Sequence, residues 1–274
     1  MHHVFACPEQ LSADRRKLRI TGEDFHHITR VLRMKEGEEL SVSVTDETDG
    51  GSFLPDEGSA AADGKRASSR EEYRFGIEEI TQDAVICTLR FVKRDTAELP
   101  VRIILLQGLP KGDKMEQIIE KNTELGVAEI VPVMLKRCVM KLDEKKAASR
   151  VIRWNRIAEA AAKQSRRGVI PCVREVLTLP EALSYVKEAE RKLLPYELAE
   201  NDAAHGMAYT RDLMNEIRPG DTVAVFIGPE GGFEEAEVIK ARESGFRTVS
   251  LGGRILRTET AGMTVAGWLG YLFG

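Results

Sequence analysis

The sequence predicts an α/β protein in which a β-rich N-terminal part precedes a larger part built on a parallel sheet. Two observations predict it. In the first 97 residues, apolar and polar side chains alternate, which is typical of strands with one buried face. From residue 98, apolar runs alternate with amphipathic segments, as in strand–helix–strand units. The length of 274 residues fits about two domains.

The N-terminal part, residues 1–97, contains three alternating stretches. Apolar side chains recur at every second position within 40–44, 73–77 and 85–89, which predicts half-buried strands in a small barrel or sandwich. Four apolar residues at helical spacing predict one short helix before the first of these strands: Phe25, Ile28, Val31 and Leu32.

Residues 46–72 interrupt this part. They hold 3 basic and 8 acidic residues and are rich in Gly, Ser and Ala. Such a composition cannot bury enough apolar surface to order itself, so we predict a flexible acidic loop.

The second part, residues 98–274, begins with a near-continuous apolar run at 101–108, typical of a strand buried on both faces. A helix should follow, with Asp113 as its N-cap, Glu116 completing a capping box and Gly126 ending it. The remaining segments predict strands at 128–134, 191–197, 222–228 and 247–252, and helices at about 147–167, 234–244 and from 258 onward.

The net charge of −4 hides a strongly basic segment. Residues 136–167 hold 11 basic and 3 acidic residues, and a helical arrangement aligns several of these cations on one face. A single-sign face of this kind favours phosphate binding over an ordinary solvated surface. The candidate residues for binding the phosphates of a nucleic acid are, on this surface and its extension, Lys111, Lys114, Lys121, Arg153, Arg156, Lys163, Arg166 and Arg167. On a second basic surface of the N-terminal part they are Arg15, Arg19, Arg30 and Arg33.

Several classes of protein are disfavoured. No apolar run approaches the ~20 residues of a membrane helix, and the first residues do not resemble a signal peptide. The four cysteines are far apart and form no C-x-x-C pair, and His26 and His27 have no acid or cysteine at ligand spacing. We therefore expect a reduced, cytoplasmic protein that binds no metal.

Three segments follow predicted parallel strands, where open α/β sheets bind ligands. These segments are 193–197, the Gly-rich 227–233, and 251–261, which contains a second glycine pair and the polar run RILRTETA. Neither Gly-rich loop is a G-x-G-x-x-G fingerprint or a Walker A loop, which disfavours a dinucleotide or triphosphate site.

The motifs FIGPEGGF and SLGGRILRTETA resemble the C-terminal signature of the SPOUT superfamily of methyltransferases. Together with KGDKMEQIIEKNTELGV, RWNRIAEAAAKQSRR and HHITRVLRM, they resemble the bacterial 16S ribosomal RNA uracil-N3 methyltransferase family, over essentially the whole chain except 46–72.

The resemblance implies a PUA-like β-barrel, a C-terminal α/β domain with a trefoil knot, a homodimer, and methylation of a uridine in 16S rRNA of the small ribosomal subunit. It also implies S-adenosylmethionine as cofactor. By position, the implied cofactor-binding residues are Leu194, Pro195, Tyr196, Glu197, Ile227, Gly228, Pro229, Glu230, Gly231, Gly232, Leu251, Gly252, Arg254, Ile255, Leu256 and Thr260.

Uracil N3 carries a proton that must leave, and negative charge then develops on the flanking O2 and O4. A cation suits the oxygens and a carboxylate suits the proton. The catalytic candidates are Arg257 for the oxygens, with Glu259 and, less directly, Glu230 as proton acceptors.

Three other functions stay open from the sequence. The chain could methylate ribose 2′-hydroxyls, act as a non-catalytic RNA-binding or assembly factor, or belong to a dehydrogenase-like α/β class. The missing dinucleotide fingerprint disfavours the last of these.

Overall fold

The computed structural model describes residues 2–45, 71–94, 97–197 and 206–274. Within these ranges the chain forms two compact units. The first unit contains the described residues up to 98 together with 162–170, and the second contains 99–161 and the described residues from 171 onward. The sequence predicted a single boundary between residues 97 and 98. The structure differs in assigning residue 98 and residues 162–170 to the first unit.

The first unit is built on a five-stranded mixed sheet. Its strands are β1 (His2–Ala6), β2 (Lys17–Ile20), β3 (Glu39–Val44), β4 (Glu71–Ile80) and β5 (Val85–Arg94). Strand β1 pairs in parallel with β3, and the other neighbours are antiparallel, in the order β1-β3-β4-β5-β2. The three predicted strands are present, and Leu40, Val42, Phe75 and Cys87 are buried in the core. The prediction of a half-buried strand is wrong for β3, because Ser41 and Ser43 on its other face are also buried.

The predicted short helix is present but irregular. Helix α1 (Gly22–His26) continues as a π-helical turn over His27–Val31. The wider turn changes which side chains share a face. Phe25 and Ile28 are buried as expected, but Val31 is 66% exposed, so the prediction that it packs with them is wrong.

The predicted acidic loop lies mostly outside the described residues, which omit 46–70. At its end the prediction is wrong. Glu71 and Glu72 begin strand β4, and Glu72 is held by ion pairs to Arg74 and Lys93 at 2.7 and 2.9 Å. Positively charged residues next to Glu72 offset its charge, so an acidic residue that the composition assigned to a loop lies in a strand.

The second unit is an α/β structure on a parallel sheet. Its strands are β6 (Arg102–Gly108), β7 (Glu129–Met134), β8 (Cys172–Val173), β9 (Leu177–Thr178), β10 (Arg191–Pro195), β11 (Thr222–Ile227) and β12 (Arg247–Val249). Their order is β12-β10-β11-β6-β7-β8, with β9 also pairing with β7. The helices are α2 (Lys114–Glu124), α3 (Glu144–Ser165, of which 162–165 belong to the first unit), α4 (Leu179–Tyr185), α5 (Met207–Asn215), α6 (Glu235–Glu243) and α7 (Thr258–Phe273).

The central strands of this sheet are covered on both faces. The runs Ile103–Leu106 and Val223–Ile227 are buried throughout, which confirms the interpretation of both apolar runs as buried strands. Helix α7 packs on α2, where Gly262 lies so close to Asn122 that an added Cβ would be 3.3 Å from its Oδ1. Both helices are therefore fixed against the sheet near the ends of its strands.

Local signals at the helix ends were partly right. Asp113 is the N-cap of α2, and Gly126 follows its end with a φ of +88°. The predicted capping box is absent, because Asp113 makes no side-chain cap hydrogen bond and the carboxylate of Glu116 pairs with Arg153 at 2.8 Å. Helices α4 and α5 are short and were not predicted.

Candidate active site

The three predicted ligand loops leave one edge of the parallel sheet side by side. Pro195 at the end of β10 lies opposite Val249 of β12, and β11 runs beside β10 on the other side. The segments 194–197, 227–232 and 251–256 therefore lie at the carboxyl ends of three strands, as the sequence predicted. The structure adds that the three strands are adjacent, with β10 between β11 and β12. Their convergence makes this carboxyl edge the candidate site.

Two positions at this edge favour glycine, for different reasons. Gly252 has a φ of +100°, a conformation that L-residues with side chains rarely adopt. An added Cβ at Gly108, the last residue of β6, would lie 2.6 Å from Cδ of Pro229. The loop after β11 thus lies directly against the end of β6, and no side chain separates them.

A buried polar link joins the start of α7 to two strand ends. The hydroxyl of Thr258 donates to the carbonyl oxygen of Gly228 at 2.6 Å and accepts from Nε2 of Gln107 at 2.9 Å. Gln107 is fully buried and Thr258 is 6% exposed. The sequence did not assign a role to Gln107, although a polar residue inside an apolar strand was an available signal.

We expect Thr258→Val to lower the free energy of unfolding by about 2 kcal/mol. The valine would leave the buried amide of Gln107 and the carbonyl of Gly228 without their hydroxyl partner. Chemical denaturation of both proteins would measure the loss. Thr258→Ser keeps the hydroxyl and should stay closer to the parent. Equal stability of the valine and serine variants would contradict the structural role of this hydroxyl.

A lysine brings the two predicted carboxylates together. Nζ of Lys114 lies 3.2 Å from a carboxylate oxygen of Glu230 and 3.2 Å from one of Glu259. The backbone N–H of Lys111 donates to both oxygens of Glu230 at 3.3 Å. Ion pairs of Lys114 and hydrogen bonds of Lys111 thus connect the segment after β6 to the loop after β11, and Lys114 also connects it to the start of α7.

Arg257 lies at the rim of this cluster. Its side chain is 81% exposed, and its nearest guanidinium nitrogen is 4.0 Å from a carboxylate oxygen of Glu259. A surface pair at this distance holds the arginine only weakly. The guanidinium is therefore available to a ligand that enters from solvent.

The pKa of Glu259 lies below its usual value. Burial alone would raise the pKa, but the residue's own backbone N–H and the ammonium of Lys114 favour the carboxylate more strongly. Glu259 is therefore ionised at neutral pH and can accept a proton. A lowered pKa also makes it a weak base, so its position must supply the remaining advantage.

The predicted cofactor-binding residues divide into three groups by exposure. The buried ones are Leu194, Ile227 and Pro229. The exposed ones are Glu197, Glu230, Gly231, Arg254 and Ile255, and Ile255 is exposed to 83%. The half-buried ones are Pro195, Tyr196, Gly228, Gly232, Leu251, Gly252, Leu256 and, in the first turn of α7, Thr260. The edge thus offers backbone groups and half-buried apolar side chains.

Predicted RNA-binding cations of the second unit differ in availability. Lys111 and Arg156 are exposed and form no side-chain ion pair within the described part of the chain. Arg153 pairs with Glu116, and Lys121 pairs with Glu120 and Glu124 of its own helix at 2.9 Å. The surface near α2 and α3 is therefore less positive than the sequence count suggested.

In the first unit, Arg30, Arg33 and Arg166 are exposed. Arg15 donates to the hydroxyl of Tyr73 at 3.1 Å. Two further predicted cations of this unit form ion pairs. Exposed Arg19 pairs with Asp83 at 2.8 Å, and half-buried Lys163 pairs with Asp24 at 2.9 Å.

The prediction that Arg167 presents its charge outward is wrong. Helix α3 ends at Ser165, so Arg167 no longer follows the helical face of Arg153. Its side chain is 3% exposed and makes two hydrogen bonds to Glu98, from Nε at 3.1 Å and Nη2 at 2.6 Å. The sequence could not foresee a partner 69 positions away.

No helix in the described ranges is long and apolar enough to cross a membrane. No cluster of three or more His, Cys, Asp or Glu side chains there is arranged to hold a metal ion.

Comparison with protein families identifies the chain. A family model described as an RNA methyltransferase domain matches residues 97–270, well over half of the sequence. The chain belongs to this RNA methyltransferase family. A second model, described as an RNA methyltransferase PUA domain, matches residues 20–52.

This RNA methyltransferase has curated relatives along most of its length. It is 34% identical over 242 residues to ribosomal RNA small subunit methyltransferase E of Bacillus subtilis, covering 88% of this chain and 85% of the relative. It is 30% identical over 260 residues to the protein of the same name from Synechocystis, covering 95% and 74%.

Solved structures share the fold of this methyltransferase. A crystal structure of ribosomal RNA small subunit methyltransferase E from Neisseria gonorrhoeae, bound to S-adenosyl methionine, matches with a TM-score of 0.74 and 27% identity. The match covers 99% of this chain and 98% of that one. The chain is thus an rRNA methyltransferase by family, with an α/β fold that combines one mixed and one parallel sheet.

Proposed function

We propose that this protein transfers a methyl group from S-adenosylmethionine to N3 of one uridine in 16S rRNA of the small ribosomal subunit. One observation carries the proposal: three loops meet at the carboxyl edge of adjacent strands in a chain of the rRNA methyltransferase family. Next to these loops lie an exposed arginine and an ionised carboxylate, the two groups that the reaction needs.

The carboxyl edge has the chemistry to hold the cofactor. The backbone at Gly108 lies against Pro229 with no room for a Cβ, and Gly252 has the left-handed conformation that favours glycine. Backbone groups of 227–232 and 251–256 would hold the polar parts, and the half-buried Tyr196, Leu251 and Leu256 would contact its apolar surface. S-adenosylmethionine, when bound, supplies a methyl group on a positively charged sulfur.

The protein's own residues would stabilise the negative charge that develops on the uracil and accept its N3 proton. Arg257 would stabilise negative charge on O2 or O4 of the uracil, since its guanidinium is charged at any working pH. Glu259 would accept the N3 proton, and Glu230 is the second candidate for this role. Because N3 is hydrogen-bonded in duplexes, the uridine must be unpaired or flipped out.

The proposal extends to architecture and assembly. The first unit would be a PUA-like barrel that docks on RNA, using Arg30 and Arg33, and the second would carry the trefoil knot. The protein would work as a cytoplasmic homodimer. Helix α7 supports a second copy as partner, because it ends with Tyr271 at 89% and Leu272 at 41% exposure, an apolar end that a twofold contact would cover.

The test is to add the purified protein and S-adenosylmethionine to small subunits from cells that lack this protein. Nucleoside mass spectrometry should then detect N3-methyluridine in the 16S rRNA. Subunits from cells that contain the protein serve as a control and should accept little further methyl. A product of 2′-O-methylated nucleosides would instead indicate ribose methylation. Binding of subunits without cofactor binding or methylation would indicate a non-catalytic factor.

A further inference from the structure

Lys114 is the only group within the described residues seen to bridge the two predicted proton acceptors. It is the first residue of α2, and the helix is held in place by the buried side chains of Met115, Ile118 and Ile119. Its ammonium is 28% exposed and lies 3.2 Å from each carboxylate. The base of this side chain is therefore fixed, and its charge is committed to the cluster.

We propose that Lys114 is a positioning residue that holds the carboxylate of Glu259 in its reacting orientation by binding it together with Glu230. The inference rests on the proposed function, because it assigns Glu259 a part in that reaction. It replaces the interpretation of Lys114 as a cation for RNA phosphates. An ammonium that already contacts two carboxylates has little charge left to offer a third anion.

The arrangement explains why two acids can lie near one another at this edge. Like charges repel, and two adjacent carboxylates would otherwise raise the pKa of one of them. An ammonium between Glu230 and Glu259 removes that penalty and fixes the distance of each to the same atom. Small displacements of a reacting group are costly, since about 1 Å can change a rate about 100-fold.

The charged groups that face Glu259 come from three elements. Lys114 comes from α2, Arg257 from the segment before α7, and Glu230 from the loop after β11, acting through the shared lysine. Lys114 and Arg257 lower the pKa of Glu259 against the opposing effect of burial. With Lys114 removed, its hydrogen bond and its positive charge no longer oppose burial, so that pKa should rise.

Lys114→Met keeps the length of the side chain and removes the charge. We expect kcat to fall about 10- to 100-fold, while KM for the small subunit changes less than threefold and S-adenosylmethionine affinity by calorimetry is retained. The acid limb of the pH profile of kcat/KM should move to higher pH, because activity requires ionised Glu259 and its pKa rises. Lys114→Arg restores a cation and should recover most of kcat.

A matched control is Lys187→Met, which removes a surface lysine that is 70% exposed and pairs with Glu188 outside the carboxyl edge. It should leave both kcat and the pH profile unchanged. A second readout needs no turnover: the carboxyl carbon of ¹³C-labelled Glu259 should titrate at higher pH in Lys114→Met than in the parent.

Three outcomes overturn the proposal. They are an unchanged kcat and pH profile in Lys114→Met, a loss confined to KM for the subunit, and no change in the titration of Glu259. A KM loss would return Lys114 to RNA binding. The proposed function fails separately, if the unmodified protein forms no N3-methyluridine, and the carboxyl titration then still reports whether Lys114 controls Glu259.

Discussion

Arg257→Ala should lower kcat at least about 100-fold while S-adenosylmethionine binds with unchanged affinity. Removal of one donor that stabilises developing negative charge typically costs 100- to 1,000-fold in kcat. The arginine is 81% exposed and caps α7 with backbone groups only, so alanine should not disturb the fold. Steady-state methylation of small subunits and calorimetry with the cofactor measure the two quantities.

The control for this variant is Arg247→Ala. Arg247 is also exposed, but it begins β12 and so lies at the opposite end of the strand from the candidate site. Its kcat should match the parent. If Arg257→Ala keeps more than about a third of the parental kcat, the assignment of Arg257 to the uracil oxygens is wrong. A selective loss of cofactor affinity would place the arginine on the cofactor instead.

Arg167→Ala should lower the free energy of unfolding by about 3 kcal/mol. Breaking a buried ion pair from one side leaves a charge without its partner, which costs about 3–5 kcal/mol. We place the loss at the low end because the Glu98 side chain is still 22% exposed and keeps a hydrogen bond from the backbone of Val169 at 3.2 Å. Chemical denaturation followed by circular dichroism measures it.

The neighbouring Arg166→Ala is the matched control. Arg166 is exposed, and its φ of +58° is equally unusual for arginine and alanine, so the backbone strain is the same in both. This variant should change stability by less than about 0.5 kcal/mol. If Arg167→Ala is as stable as Arg166→Ala and binds small subunits less tightly, the sequence prediction of an RNA contact at Arg167 is restored.

The sequence predicted most of the large elements because their signals are local. Alternating residues in 73–77 and the apolar run before Gly108 report burial through a period of two or a continuous pattern, and both are strands. Trp154, Ala158 and Ala161 have helical spacing in the sequence, and all three are buried on one face of α3. The π-helical turn at His27–Val31 was not predicted, because the wider hydrogen-bonded turn changes the number of residues per turn and leaves no signal in the amino-acid composition.

The candidate site was predicted as loops but not as contacts. The sequence placed 194–197, 227–232 and 251–256 at the ends of strands, since glycines and polar residues that follow apolar runs are visible in it. Only the strand order β12-β10-β11 shows that the three segments lie side by side. The residues that connect the loops, Gln107 and Thr258, lie 151 positions apart. Nothing in either local sequence indicates the other.

The sequence by itself determined the α/β class, the RNA methyltransferase resemblance and the positions of the ligand loops. Only the tertiary structure decided which charges are free. It joined Lys114 to Glu259 across 145 positions and buried Arg167 against Glu98, although the sequence predicted that Lys114 and Arg167 offer their charges to RNA. The physical reason is that helical and strand periods are local, whereas an ion pair depends on where the folded chain brings two distant residues together.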